Sequence, residues 1–361
     1  MMDKMHRILA INPGSTSTKF AVYFNEKCVL KKAIRHSVDE IMEYRNIIDQ
    51  FDFRKALIID TLVEEGIDVD SLKIIIGRGG LTYPTESGIY KVNNRMLEHA
   101  RQGIMGQHAS NLGPLLADYI ALQIPGANAY IADPVVTDEM DDVARIAGHP
   151  NFERYSVFHA LNQKATARLH AKKIGTKYES LRLIVVHLGG GISVGAHKYG
   201  RVIDVNNAFD GEGPFSPERS GTLPVGQLVT ICFGGKYSEE QIRRMLTGEG
   251  GYVGYLGTNN DREVGDLAEA GDERAGMIQQ ALFYQLAKYI GEMAVVLDGK
   301  VDGIILTGGL AYNAKLENYV RSKVSFISPV FVYPGEDELE ALAQSALRLA
   351  KGEVKAKVYV K

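Results

Sequence analysis

A run of small and hydroxyl-bearing residues near the start of the chain has the composition of an anion-binding turn. Two β-rich segments, 8–11 and 20–24, flank the sequence Pro-Gly-Ser-Thr-Ser-Thr, and this pattern predicts a hairpin with an open turn. Small residues let a ligand approach the backbone closely, and the backbone N–H groups, the hydroxyls and the following lysine are all donors. Such a set of donors suits phosphate, although an ordinary polar turn has the same composition. The candidate phosphate ligands are Ser15, Thr16, Ser17 and Lys19.

The same pattern returns in the second half of the chain. Residues 183–196 run from an apolar strand through one polar residue, His187, into a small-residue turn and a second strand. An ungapped comparison places Asn12 opposite His187. Each half also has a later apolar strand that ends in paired glycines, at 73–80 and at 303–309, where backbone donors are available to a ligand. We infer two similar halves, each with a phosphate-binding hairpin. The candidate ligands of the second half are His187, Gly189, Gly190, Gly191, Thr307, Gly308 and Gly309.

Two arginines lie where open α/β proteins bind ligands. Arg78 follows the continuous apolar run 72–76, which predicts a buried parallel strand, and ligands bind at the carboxyl ends of such strands. Arg219 lies in the loop 206–221, which is rich in Gly and Pro and too long for a simple connection. Both arginines are therefore candidate site residues.

Three other positions have both a structural and a chemical interpretation. Asp133 follows the predicted strand 129–132 and precedes a proline, as turn residues often do. His159 opens a helix predicted to run to about residue 173, where the positive end of the helix dipole favours a neutral histidine; a core histidine is the alternative. The acidic segment 336–338 opens the last predicted helix, where it could serve only to complement the dipole.

Seven motifs, spread in order over nearly the whole chain, carry a resemblance to a known superfamily. They are Asn12-Pro-Gly-Ser-Thr-Ser-Thr-Lys19, Gly77-Arg-Gly-Gly80, Phe158-His-Ala160, His187-Leu-Gly-Gly-Gly-Ile-Ser193, Glu218-Arg-Ser-Gly221, Thr307-Gly-Gly309 and Pro334-Gly-Glu-Asp-Glu-Leu339. With them the chain resembles the acetate and sugar kinase, Hsp70 and actin superfamily, and within it the butyrate kinases of the acetate kinase family.

The resemblance implies an α/β fold of two duplicated ribonuclease-H-like (actin-like ATPase) domains. Each would be a mixed five-stranded sheet flanked by helices, with a cleft between the domains. The N-terminal domain would comprise residues 1–138 plus 338–361, and the C-terminal domain, residues 139–337, would carry the adenosine site at the turn 307–309. The acidic, then Gly-, His- and Pro-bearing segment 138–151 is interpreted as the crossing between them.

The resemblance also implies roles for single residues. The catalytic group would be Arg78, Arg219, His159, Asp133 and Asn12. His159 would hydrogen-bond the phosphoryl group in transit, and Asp133 would help to position that group and magnesium. Magnesium would be held by Glu338, which we favour over Asp337, together with Asn12; His108 is a weaker candidate for the site.

Composition limits the possible functions. With 361 residues, 45% of them hydrophobic and 24% charged, the chain is long enough for two cores. A formal charge of −3 gives no general attraction to nucleic acid or to an anionic membrane, and the sequence shows no apolar run of membrane-spanning length, so we expect a cytoplasmic protein. Cys28 and Cys232 have no metal-ligand spacing and are predicted to be reduced, buried thiols. P-loop, dinucleotide-fingerprint and nucleophile-elbow motifs are absent from the sequence.

The predicted reaction is reversible transfer of the ATP γ-phosphoryl group to a short aliphatic carboxylate, giving an acyl phosphate and ADP with Mg²⁺. A carboxylate acceptor has a pKa of roughly 4 to 5, so it needs no strong general base. Departures from the acetate kinase pattern at 13, 16, 77–80 and 160–163 favour a four-carbon or branched acid, while isobutyrate, butyrate, valerate and propionate stay open. The alternatives are an acetate or propionate kinase and, in another class, an actin- or Hsp70-like ATPase switch. The family resemblance also implies a homodimer or larger homo-oligomer.

Overall fold

The computed structural model describes residues 5–360, apart from the side chain of Val38. The predicted domain limits at residues 1 and 361 lie outside the described residues. By their contacts the residues form two compact units. The first ends at Thr137 and resumes at Asp337, and the second is Asp138–Glu336.

The strands of the described residues are short to medium in length. In chain order they are β1 (Arg7–Gly14), β2 (Ser17–Phe24), β3 (Lys27–Arg35), β4 (Ile74–Arg78), β5 (Ile89–Lys91), β6 (Asn128–Ala132), β7 (Arg182–Leu188), β8 (Ile192–Lys198), β9 (Arg201–Val205), β10 (Gly303–Gly308), β11 (Val330–Pro334) and β12 (Lys357–Val358).

The α-helices fill most of the intervals between strands. They are α1 (Val38–Met42), α2 (Phe51–Glu64), α3 (Asn94–Gln102), α4 (Leu112–Gln123), α5 (Asp142–Arg145), α6 (Ala160–Lys173), α7 (Val225–Phe233), α8 (Glu239–Leu246), α9 (Gly251–Leu256), α10 (Asp261–Glu269), α11 (Glu273–Val296), α12 (Ala314–Val324) and α13 (Glu338–Ala350). Within 5–360, none of these helices is long and apolar enough to cross a membrane.

The first unit is built on a mixed sheet of order β12-β5-β6-β4-β1-β2-β3. Strands β1, β2 and β3 form an antiparallel meander, β4 pairs with β1 in parallel, and β6 pairs with β4 in parallel. The register pairs Ile8 with Ile74 and Ile11 with Gly77, so β1 and β4 end at the same edge of the sheet. Helices α4 and α13 both pack against these central strands, which explains why β1 is buried almost throughout.

The second unit repeats this arrangement with a sheet of order β11-β10-β7-β8-β9. Again a three-stranded meander, β7 to β9, is followed by two parallel strands: β10 pairs with β7, and β11 pairs with β10. The predicted duplication is therefore confirmed. The first sheet has seven strands rather than five, because the short strands β5 and β12 extend it at one edge; segments of three and two residues are too short for a periodic pattern.

In the sequence, apolar residues at 278, 282, 286, 290, 293 and 297 recur three or four positions apart, which predicts a helix with a core-facing stripe, and the structure confirms this stripe on α11 and its C-cap. Leu282, Leu286, Ile290 and Leu297 are fully buried, and Met293 is nearly so. Leu286→Ala should lower the free energy of unfolding by about 2–5 kcal/mol, because it leaves a cavity. Met293→Leu should cost less than about 1.5 kcal/mol and leave turnover nearly intact, because it conserves volume. Denaturant unfolding of both variants measures the difference, and a large loss of turnover in Met293→Leu would mean that this helix does more than pack.

The prediction that both cysteines are buried is wrong. Cys28 and Cys232 are free and exposed. Cys28 lies on β3, the edge strand of the first sheet, where most side chains face solvent. Cys232 lies on α7, a helix with an apolar sequence that nevertheless buries none of its residues in the chain.

Candidate functional site

The first predicted phosphate hairpin is present. Strands β1 and β2 stay in register up to the pair Gly14 and Ser17, so a two-residue turn of Ser15 and Thr16 lies at the tip. Ser15, Thr16 and Lys19 are exposed and Ser17 is half-buried. Their donors are therefore available at an open turn, as the sequence predicts.

A buried arginine hydrogen-bonds the backbone of this turn. The Arg54 guanidinium, on α2, is fully buried, and its Nη1 donates to the Ser17 carbonyl at 2.8 Å and to Thr18 Oγ1 at 3.1 Å. Its Nη2 donates to the Ser15 carbonyl at 3.5 Å, and Gln50 Oε1 accepts from Nε and Nη2. Burial lowers the pKa of Arg54 to about 10, so it stays charged at neutral pH. All the oxygens that it binds are neutral, so its positive charge favours an anion at the turn.

Arg54 is not among the site residues predicted from the sequence. It reads as one polar residue among several in an amphipathic helix, and only the packing of α2 against the hairpin shows where its side chain goes.

Three predicted site residues of the first unit meet at the edge of the sheet. Arg78 Nη1 donates to Glu338 Oε2 at 2.9 Å and lies 3.4 Å from Asn12 Oδ1, while Asn12 Nδ2 donates to the same Glu338 oxygen at 2.5 Å. Asn12 follows the apolar core of β1, Arg78 ends β4, and Glu338 begins α13. The parallel register of β1 and β4 and the packing of α13 on both strands bring them together.

The two acidic candidates at the start of α13 have different contacts. Asp337 is the N-cap of the helix, where it accepts from the Glu340 backbone N–H at 3.0 Å and pairs with Lys31 at 2.5 Å. Glu338 is buried and is the acid that faces Asn12 and Arg78. Of the pair, Glu338 is thus the one placed beside the other predicted site residues.

Among residues 5–360, no group of three or more His, Cys, Asp or Glu side chains is placed to hold a metal ion. Glu338 and the amide oxygen of Asn12 nevertheless fit Mg²⁺, which is commonly held by one or two carboxylates, several waters and the phosphates of its substrate. The donor set suits a cation that arrives with a nucleotide better than a resident metal.

Asp133 is buried in a strained turn, with a φ of +37°. Its Oδ1 accepts from Ser87 Oγ at 2.6 Å and from the Gly88 N–H at 2.8 Å, so this oxygen holds the 87–88 turn. His108 caps a short helical turn by accepting from the Ser110 N–H at 3.2 Å. These contacts are structural, and a role of either residue in phosphoryl transfer stays a prediction.

In the second unit, two predicted histidines form one cluster. The rings of His159 and His187 stack with centroids 3.7 Å apart and an angle of 12° between their planes. His159 is the N-cap of α6, as its predicted place at the helix start requires. His187 Nδ1 lies 2.8 Å from Asn162 Oδ1, and its Nε2 lies 3.3 Å from Glu336 Oε2.

Arg219 lies directly against the predicted glycine turn. A Cβ on Gly191 would come within 2.1 Å of Arg219 Nη1, so a larger residue there would displace the guanidinium from this position. Nη1 donates to the Ala208 carbonyl, and the guanidinium carbon lies 5.5 Å from the centre of the Phe209 ring. A Cβ on Gly189 would lie 2.9 Å from His187 Nε2, so the turn also adjoins the histidine pair. The second unit therefore brings together His159, His187, the glycines and Arg219.

The turn after β10 divides into a structural and an open part. Thr307 is buried and its Oγ1 donates to the Gly335 carbonyl at 3.1 Å. Gly308 has a φ of +93°, and a Cβ there would come within 2.3 Å of the Leu188 carbonyl oxygen. Gly309 is exposed and a Cβ would meet open space. Gly309 is thus the member of this turn whose backbone a ligand could approach, while Thr307 and Gly308 join β10 to its neighbours.

Other polar residues behind the histidine pair were missed by sequence analysis. Ser193 hydrogen-bonds His159, Gln163 hydrogen-bonds Ser193, and His197 hydrogen-bonds Gln163. The sequence distinguished Asn162 and Gln163 only as part of the departure from the acetate kinase pattern at 160–163, and no local pattern indicated that they contact the histidines.

Solved structures define the class of fold. Acetate kinase from Porphyromonas gingivalis matches with a TM-score of 0.76 at 18% identity, covering 94% of this chain and 98% of that one. A propionate kinase from Francisella tularensis matches with a TM-score of 0.72 at 21% identity, covering 94% of this chain and 99% of that one. The duplicated two-unit architecture is therefore that of the acetate and propionate kinases.

Sequence comparison identifies the family. Residues 149–327 match the model of the acetokinase family. The chain is 54% identical over 356 residues to a probable butyrate kinase from Clostridium botulinum, covering 98% of this chain and 99% of that protein. It is 55% identical over 355 residues to butyrate kinase 1 from Clostridium acetobutylicum, covering 98% of this chain and 100% of that protein. The chain belongs to the acetokinase family.

Proposed function

We propose that this protein transfers the γ-phosphoryl group of ATP reversibly to butyrate or a branched short-chain fatty acid, giving an acyl phosphate and ADP. Its family membership makes it a kinase with a carboxyl group as acceptor. The observation that carries the choice of acid is the 54–55% identity, over 98% of the chain, to proteins named butyrate kinases.

The residues of each unit suit the demands of phosphoryl transfer, which are mainly alignment and charge neutralisation. Arg78 and Arg219 would grip the substrate carboxylate and the equatorial phosphoryl oxygens, with a fork geometry that lysine cannot copy. The Ser15 to Lys19 turn would hold phosphates in the first unit, with Arg54 adding positive charge beneath it. In the second unit the turn 189–191 and His187 would do so, and the turn at Gly309 would receive the adenosine.

We further propose Mg²⁺ as the metal, held by Glu338 and Asn12, with Asp133 helping to position it. When bound, the cation would neutralise charge on the nucleotide phosphates. In the structure Asn12 and Arg78 both bind one Glu338 oxygen, and this contact orients the carboxylate at the edge of the sheet.

An acid panel tests the proposal. The protein is incubated with ATP, Mg²⁺, hydroxylamine and one straight or branched acid of two to five carbons, and hydroxamate is measured. We expect the highest kcat/KM with a four-carbon acid. A maximum with acetate or propionate would contradict the proposed substrate and support the alternative kinase. Phosphate release that is independent of any acid would instead support an ATPase switch.

We propose that the protein works in the cytoplasm, as a homodimer or larger assembly of identical chains. The support for self-association is α7, whose apolar side chains include the exposed Val225, Val229 and Phe233, and none of whose residues is buried. An exposed group of apolar side chains of this kind commonly marks an interface between proteins.

Val229→Glu should therefore shift the protein to smaller species in light scattering coupled to size-exclusion chromatography, because it places a charge in the contact. Val143→Glu, at a more exposed apolar position on α5, is the matched control and should leave the molar mass unchanged. A wild-type protein with the mass of one chain would contradict the proposal of self-association.

A further inference from the structure

We propose that Ser193 and Gln163 are positioning residues that hold His159 as the tautomer with its proton on Nε2. Nδ1 of His159 would then be an acceptor, and Nε2–H a donor for a phosphoryl oxygen. The role toward phosphoryl rests on the proposed function, whereas the tautomer follows from hydrogen bonds within the second unit.

A chain of buried hydrogen bonds leads to His159. Ser193, on β8, is fully buried, and its Oγ lies 2.9 Å from His159 Nδ1. Gln163, on α6, is also fully buried, and its Nε2 lies 2.7 Å from Ser193 Oγ and 3.0 Å from the Ser193 carbonyl oxygen. Gln163 Oε1 lies 2.9 Å from His197 Nε2, and His197 Nδ1 lies 2.7 Å from the Tyr178 hydroxyl.

The Ser193 carbonyl decides the orientation of the Gln163 amide. A carbonyl oxygen can only accept, so the side-chain atom 3.0 Å from it must be the NH₂ group. Gln163 Oε1 therefore faces His197 and accepts from it, which puts a proton on His197 Nε2. Burial lowers the pKa of His197 well below its usual value, so this ring is neutral and its Nδ1 accepts from Tyr178.

The same amide decides the direction of the Ser193 hydroxyl. Ser193 Oγ accepts from the Gln163 NH₂ group, so its single hydrogen is available to donate to His159 Nδ1. If His159 Nδ1 carried the proton, Ser193 Oγ would accept twice, and its own hydrogen would have no other acceptor within residues 5–360. A buried donor without an acceptor is unfavourable, so the arrangement favours an unprotonated Nδ1 and a protonated Nε2.

The arrangement also restrains the ring of His159. Its face stacks on His187 at 3.7 Å and its Nδ1 edge is held by Ser193, so both the plane and the rotation of the imidazole are set. A donor that is already oriented toward the reacting group does not have to reorganise during the reaction, which is the advantage of electrostatic preorganisation. Ser193 and Gln163 would act on the reaction only through His159.

Nitrogen-15 NMR of the histidine rings in the intact protein tests the tautomer, with His159→Asn used to assign the signals. We expect the wild-type His159 ring to show a protonated Nε2 and an unprotonated Nδ1. Ser193→Ala should let both tautomers appear and lower kcat about 3- to 10-fold with KM nearly unchanged, which is the usual worth of one hydrogen bond. Gln163→Met keeps the Ser193 hydroxyl but removes the amide that orients it. Both tautomers of His159 should therefore also appear in this variant.

Ser345→Ala is the matched control. This serine is also buried and bonds the Ala341 carbonyl in α13 of the other unit, so its loss should leave the His159 signals and kcat unchanged. A wild-type His159 protonated on Nδ1, or on both nitrogens, would overturn the proposal, as would unmixed tautomers in Gln163→Met. If Ser193→Ala fails to fold, the wild-type and Gln163→Met spectra still test which nitrogen of His159 carries the proton. The acid panel tests the function separately, since these spectra need no substrate.

Discussion

Arg219→Ala is expected to lower kcat for acyl phosphate formation by about 10² to 10³. Removing one preorganised electrostatic partner of a transition state typically has an effect of this size. Arg219 is held against the glycine turn by the Ala208 carbonyl and the Phe209 ring, so its charge lies beside backbone donors suited to phosphate. Steady-state kinetics with ATP and butyrate measures the loss. Arg219→Lys should recover little of it, because an ammonium group cannot form the two parallel bonds of a guanidinium.

The control for Arg219 is Arg243→Ala in the same unit. Arg243 is exposed on α8 and pairs with Glu239, and exposed ion pairs of this kind contribute little to stability. We expect its kinetics to match the wild type. Unchanged turnover in Arg219→Ala, with thermal unfolding showing a folded protein, would remove this arginine from the site.

Arg78→Ala should also lower kcat by about 10² to 10³, and in addition it should destabilise the first unit. The Glu338 carboxylate is mostly buried, with 9% of its side chain exposed, and Arg78 is its charged partner at 2.9 Å. Removing one member of such a pair leaves a poorly compensated charge and should cost about 3 kcal/mol of unfolding free energy, the lower end for buried pairs because Arg78 keeps some exposure. Kinetics and denaturant unfolding measure the two effects.

A double variant tests whether the stability loss in Arg78→Ala comes from the unpaired charge of Glu338. Arg78→Met combined with Glu338→Gln removes both charges, so it should recover most of the lost stability while the activity stays low. Arg95→Ala, an exposed arginine of the same unit that bonds the Val360 carbonyl, should change neither quantity appreciably. If the double variant recovered turnover as well as stability, Arg78 would have only a structural role.

Local sequence patterns predicted much of this fold because their physical basis is local. The hairpin at 12–19 follows from β-rich segments around a turn of small residues, and the stripe of α11 from apolar residues spaced three and four apart. Apolar residues between 39 and 65 also recur three and four positions apart and predict a helical region, but the structure divides it into α1, a short 3-10 segment and α2, since boundaries depend on packing and capping more than on periodicity. The exposure of Cys232 was missed because an apolar helix is normally buried within its own chain.

The candidate site likewise combines features that could be predicted from the sequence with features that only the structure shows. That Asn12 and Arg78 lie together could be predicted, because the carboxyl ends of neighbouring parallel strands meet at one edge of a sheet. The choice of Glu338 over Asp337 needed the structure, since adjacent residues at a helix start face different directions. The contact of Arg54 with the hairpin, and the hydrogen bonds that join Gln163 to Ser193 and Ser193 to His159, could not be predicted from the sequence.

By itself the sequence determined the duplicated architecture, the family and most of the residue types that the reaction needs, because strand, turn and helix signals and family motifs are properties of short segments. Only the tertiary structure decided which acid faces Arg78, what supports the phosphate turn and which nitrogen of His159 accepts a hydrogen bond. The contacts Arg78–Glu338, Arg54–Ser17 and His159–Ser193 join residues 260, 37 and 34 positions apart, and their geometry exists only after the sheets and helices have packed.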